Sequence, residues 1–206
     1  MVLSRRTLNR SKTLNQGFTV NSPLYRTSLL ASLVIAAFAV AMAAPSPKEF
    51  PLPGHGTLTL RVPEGWAAEM NAPGTQLPPT ITLAPRNGPK FVMSVTVESP
   101  MSSAQKLPDD NAIRSDVAAA ARSAQSQSVE GVLPLQEITG VDGRGFYFTA
   151  TDRAPKPNEA KYLTQGIIRV GEISLAFTVL TNDGQETVVR AALEMLRTAV
   201  HRQNGR

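Results

Sequence analysis

From Lys90 to Glu98 the chain reads KFVMSVTVE, and apolar and polar side chains alternate along most of it. Phe91, Met93, Val95 and Val97 share one face of an extended strand, and Val92, Ser94, Thr96 and Glu98 share the other. Successive strand residues point to opposite sides of a sheet, so this period suits a half-buried strand rather than an amphipathic helix. The pattern recurs in TLTLRV (57–62), GWAAEM (65–70) and PTITLA (79–84), and again in LPLQEITGV, GRGFYFTAT, KYLTQGIIRV and ISLAFTVL. Short turn signals join these runs. Asp142-Gly143 and Gly171-Glu172 suit two-residue hairpins, and Pro85-Arg86-Asn87-Gly88-Pro89 is a turn by composition. Strands joined by tight turns are antiparallel, because a parallel pair needs a long crossover. TLTLRV is expected to pair with GWAAEM through Pro63-Glu64-Gly65.

Two segments have helical spacing instead. Ile113, Val117, Ala120, Ala121 and Ala124 form one narrow face, with Asp109 or Asp110 placed to cap it. Val189, Leu193, Leu196 and Val200 form the stripe of a last helix, in which Asp183 and Glu186 have capping-box spacing. The order is four strands and a helix, twice over. The fold class is therefore α+β, a twisted antiparallel β-sheet flanked by helices.

Charge and composition divide the 206 residues into segments. Five of the 21 Lys and Arg precede residue 44, where there is no Asp or Glu; the remaining 16 balance the 16 acidic residues. The excess positive charge thus sits in the leader, and no basic run suggests nucleic-acid binding by the folded part. Residues 28–44, SLLASLVIAAFAVAMAA, follow Arg26, carry no charge and end in small residues. That is the pattern of a secretory signal, with cleavage expected after Ala43 and a retained anchor as the alternative. The twin arginines Arg5-Arg6 stand more than 20 residues before the apolar run, too far for the usual folded-export signal. Residues 44–55 hold four prolines and read as an extended tether. The domain is expected over 56–202, with 203–206 as a tail and the mature protein periplasmic or secreted.

The stretch Val62-Pro63-Glu64-Gly65-Trp66, between two strands, resembles the start of the PsbP-like fold, a superfamily that includes DcrB-type bacterial envelope lipoproteins. The resemblance covers Thr57 to about Val200 in element order. It implies a PsbP-like α/β/α sandwich and an accessory, binding role without catalysis. Those lipoproteins carry an attachment cysteine, whereas this chain has no Cys. Trp66, the single Trp, is read as packing on the sheet, since indoles bury large areas.

Few residues nominate chemistry. Without Cys there is no disulfide, thiol nucleophile or Cys-ligated metal. His55 and His201 lie far apart and are read as solvated, so no metal site and no cofactor are expected. Ser103-Ala104-Gln105-Lys106 matches S-x-x-K but lacks the companion motifs of that acyltransferase site. The Gly140–Gly145 glycines sit in a hairpin turn rather than before a helix. The long segment Thr151–Tyr162 is the place to look for recognition, with Arg153, Lys156, Lys161 and Tyr162 as candidate binding residues. The expected function is a non-catalytic accessory or binding protein, with an envelope protein as a possible partner. The alternative is an envelope hydrolase whose site assembles distant carboxylates or serines.

Overall fold

The computed structural model describes residues 45–72, 77–100 and 106–203. The leader, its expected cleavage site, Ser103 and residues 204–206 lie outside them. The ten strands are β1 (Ser46–Leu52), β2 (Gly56–Val62), β3 (Trp66–Asn71), β4 (Thr80–Pro85), β5 (Val92–Glu98), β6 (Gln136–Gly140), β7 (Gly143–Thr151), β8 (Tyr162–Val170), β9 (Ile173–Thr181) and β10 (Val200–Arg202). Helix α1 (Asp110–Gln125) follows β5, and α2 (Glu186–Arg197) follows β9. The expected α+β class holds. Seven strands form one antiparallel sheet in the order β3-β4-β5-β9-β8-β7-β6, and three form another, β1-β2-β10.

Both faces of the large sheet are covered. Met93, Val95, Phe177, Val179 and Ile168 meet Leu58 and Leu60 of the small sheet and Ala192, Met195 and Leu196 of α2 in one core. On the opposite face, Ile113, Val117 and Ala121 of α1 meet Phe146, Phe148 and Ala150 of β7. The Ala-rich stripe of α1 is what lets the helix lie close to the strands. Asp109 caps it, its Oδ1 accepting the Ala112 N–H at 2.8 Å.

Four expectations are corrected. First, residues 46–52 of the supposed tether are strand β1. Pro47 and Pro51 are tolerated because β1 is an edge strand, where a missing N–H leaves no ladder bond unmade. Phe50 and Leu52, each 3% exposed, plug the core, so the domain begins ten residues before Gly56. Second, β2 does not pair with β3. Gly65, at φ +79°, turns the chain out of the small sheet, and β3 pairs with β4. Third, the last helix stops at Arg197, and Val200, expected on its stripe, begins β10 against β2. Fourth, the histidines are not independent. His201 on β10 has Nε2 2.6 Å from the His55 carbonyl oxygen, and its Nδ1 accepts the Glu172 N–H at 3.3 Å.

Trp66 sits half-buried against the main core, with its ring centroid 4.4 Å from that of Phe91. Replacement by Ala is expected to cost about 2 kcal/mol, less than for a fully buried indole. The urea midpoint reads this directly; an unchanged midpoint would mean that the ring contributes nothing to packing.

Candidate functional site

The strands β7, β8 and β9 extend beyond the first turn of α2, and a groove of about 350 Å³ opens there. Alternation decides its lining. Thr149 and Thr151 of β7, Tyr162 and Thr164 of β8 and Thr181 of β9 face the α2 side, in the register Thr149↔Thr164 and Thr151↔Tyr162↔Thr181 on paired strands. Paired on the sheet, Thr149 stands opposite Thr164 and its neighbours only through the β7–β8 ladder, whose partners for Thr149 and Thr151 are Thr164 and Tyr162. Glu186 and Val189 of α2 and Glu130 from the segment after α1 complete the walls. Thr164 and Thr181 line the groove although they are only 3% and 2% exposed.

Glu130 is brought in by an irregular segment. The Val129 N–H donates to the Thr151 carbonyl at 2.8 Å, and the buried Ser128 hydroxyl donates to the Glu130 carbonyl at 2.8 Å. The Glu130 carboxylate then receives the Thr151 N–H at 2.9 Å and the Thr151 hydroxyl at 2.7 Å. Burial works against its charge, but the bonds from the Thr151 hydroxyl, the Thr151 N–H and its own N–H prevail and hold its pKa below the ordinary value.

At the rim, Lys161 Nζ lies 2.9 and 3.1 Å from the two carboxylate oxygens of Asp183, and the Tyr162 hydroxyl donates to Asp183 Oδ1 at 2.6 Å. The hydrogen bond from Lys161, then that from Tyr162, holds Asp183 below its ordinary value; Lys161 is raised by the same bond. Asp183 therefore does not act as the helix cap that its spacing suggested. The N-cap is Gln185, whose Oε1 accepts the Asn182 N–H at 2.8 Å and whose Nε2 donates to the Lys90 carbonyl at 3.1 Å.

The four candidate residues thus divide. Tyr162 lines the groove and Lys161 stands beside it. Arg153 turns away, donating from Nη2 to the Ser128 carbonyl at 2.8 Å. Lys156 is exposed, 3.7 Å from Glu159. The loop that carries them is built rather than slack. Asn158 at φ +71° follows Pro157 in a turn closed by Glu159 N–H to the Lys156 carbonyl at 3.0 Å. Its basic residues do not converge on one spot. Glu130, Thr164, Thr181 and Glu186 are the groove residues that sequence reasoning missed. The only signal was the Thr alternation in β7 and β8, which reads equally well as a solvated strand face.

A second depression, about 230 Å³, lies beside α1, where the half-buried Ser94, Thr96, Thr178 and Gln165 line it next to Asp116. It has one carboxylate and is the smaller of the two. Among the described residues no group of three His, Asp or Glu side chains is arranged to hold a metal ion.

No family model matches the chain, and neither does any curated protein sequence. Among solved structures it is similar to the solution structure of the cyanobacterial PsbP of Synechocystis sp. PCC 6803. The TM-score is 0.48 with 11% identity, over 79% of this chain and 96% of that one. It is also similar to a crystal structure from Bacteroides thetaiotaomicron, with a TM-score of 0.47 and 15% identity over 77% of this chain. This chain spans 50% of the Bacteroides chain. The likeness is one of layout, and nothing about ligand or activity passes along it.

The Glu130 bonds have a measurable consequence. A carboxyl lowered in the folded state adds stability above its unfolded pKa, and that contribution is lost as pH falls through the folded value. Thr151→Val removes the hydroxyl bond and leaves the backbone one. The variant is expected to lose about 1 kcal/mol at neutral pH and less at about pH 3, by urea unfolding. An equal loss at both pH values would mean that Glu130 is not the group responsible.

Proposed function

We propose that the chain is an exported, non-catalytic accessory protein that holds its ligand or partner in the groove between α2 and β7–β9. The observation that carries binding is the groove itself, in which Thr149, Thr151, Tyr162, Thr164 and Thr181 of three adjacent strands stand with Glu130 and Glu186. Glu130 and Asp183 are both held below their ordinary pKa by hydrogen bonds. That state suits a charged acceptor for a ligand, and does not suit a general acid at neutral pH, which needs a raised carboxyl. Export rests on the sequence alone: the basic flank, the apolar run of residues 28–44 and the small residues at its end.

Fractionation followed by intact-mass measurement tests the first half of this reading. The chain is expected outside the cytoplasm, shortened by about 43 residues. Recovery of the full-length chain in the cytoplasm would overturn export. Assays of the same material on ester, phosphate and glycoside substrates test the second half. Turnover that disappears in Glu130→Gln or Glu186→Gln, with circular dichroism unchanged, would replace the accessory reading with a hydrolase.

A further inference from the structure

Resting on the groove as the binding site, we infer that its ligand carries an ammonium or guanidinium group on a short apolar stem. The charged side chains that line the groove are Glu130 and Glu186, both acidic. The neighbouring cation, Lys161, is already bonded to both oxygens of Asp183. An anionic ligand would therefore meet two carboxylates with no lining cation to offset them, and like charges repel most strongly where water is partly excluded. A cation meets the opposite field.

The acceptors for it are in place. A carboxylate offers about four lone-pair sites, and Glu130 uses one on each oxygen for Thr151, which leaves capacity on both. Thr164 and Thr181 place nearly buried hydroxyl-bearing side chains on the same wall, able to accept from a multi-donor head group. Val189 of α2 supplies an apolar side chain for the stem, while Ala150 and Leu163 border the groove through their backbone, their side chains packing on the α1 side. The volume, about 350 Å³, lies at the small end of ligand pockets, which favours one head group and a few methylenes over a large body.

Such a head group could belong to a free amine or to a Lys or Arg side chain of another polypeptide, and the test separates them. The purified chain, in whichever form it is recovered, is titrated with butylammonium, butylguanidinium, butanol and butyrate while its amide resonances are followed. A second arm uses a capped Gly-Gly-Lys-Gly-Gly peptide and its norleucine counterpart. We expect the two cations to shift the amides of Thr149, Thr164 and Thr181, with butanol and butyrate leaving them in place. Stronger binding of the Lys peptide than of butylammonium would assign the head group to a polypeptide; the reverse would assign it to a free amine. Glu186→Gln, at an exposed position in the first turn of α2, should weaken cation binding about tenfold through loss of one charge-assisted bond while circular dichroism stays unchanged. Butyrate or butanol shifting the groove amides as strongly as the cations would overturn the ligand class and leave the groove as a binding site. Cation shifts confined to other surfaces, or no response of these amides to any probe, would overturn both.

Discussion

A chain beginning at Gly56 is expected to be about 5 kcal/mol less stable than one beginning at Ala44. The estimate comes from Phe50 and Leu52, which lie 3% exposed in the core. Full burial of each such side chain stabilises by about 1.5–3 kcal/mol. Removing β1 also strips β2 of a seven-residue ladder from Ser46↔Val62 to Leu52↔Gly56, leaving it only the three pairs with β10. Leu58 and Leu60, fully buried on β2, would then depend on a strand held along less than half its length. Small domains have net stabilities of about 5–15 kcal/mol, so the shorter chain should unfold at much lower urea or fail to fold. A urea midpoint equal to that of the longer chain would return residues 44–55 to the role of a tether.

Gly166→Ala is expected to destabilise by about 3 kcal/mol, the upper part of the range for overpacking a filled core. Gly166 lies in the middle of β8, between Tyr147 of β7 and Phe177 of β9. A Cβ there would stand 2.5 Å from Tyr147 Cβ and 2.8 Å from Phe177 Cζ, and closer still to the Phe146 carbonyl oxygen. The backbone of β7 cannot recede without breaking its ladder to β8, whereas the end of the Phe177 ring can be shortened. The double variant Gly166→Ala, Phe177→Leu should therefore recover part of the loss, seen as a non-additive pair in urea unfolding. Full additivity would mean that the ring is not what the added methyl meets.

The elements of the fold differ in how far the sequence foretold them. Strand β5 was legible because one face is buried from end to end. Phe91, Met93, Val95 and Val97 are all 5% exposed or less, and strict alternation survives only where one side of a strand is consistently dry. The hairpin between β8 and β9 was legible because its turn residues, Gly171 and Glu172, are local. Helix α1 was legible because its stripe and its cap, Asp109, lie within one segment. Local periodicity and local turns are written along the chain, and they were enough to establish an α+β antiparallel fold.

What remained hidden depends on partners far away in sequence. The prolines around Phe50 argue against a strand until β1 is seen to occupy a sheet edge, and edges are a property of the assembled sheet. Whether Pro63-Glu64-Gly65 closes a hairpin or passes the chain between sheets depends on which strands claim β2, and these are β1 and β10 at the two ends of the domain. Asp183 has the spacing of a helix cap, yet Lys161 and Tyr162 reach it first, from 22 and 21 residues away. The groove is the extreme case. Glu130, Thr151, Thr164, Thr181 and Glu186 come from five segments, and no period in the sequence links a carboxylate after α1 to one at the start of α2. The sequence alone determined eight of the ten strands and both helices, because their periodicity and turns depend on near neighbours, whereas β1 and β10 became strands only by pairing with β2. Only the tertiary structure decided the sheet edges, the true start of the domain and the acidic lining of the groove, because each depends on side chains that folding brings together.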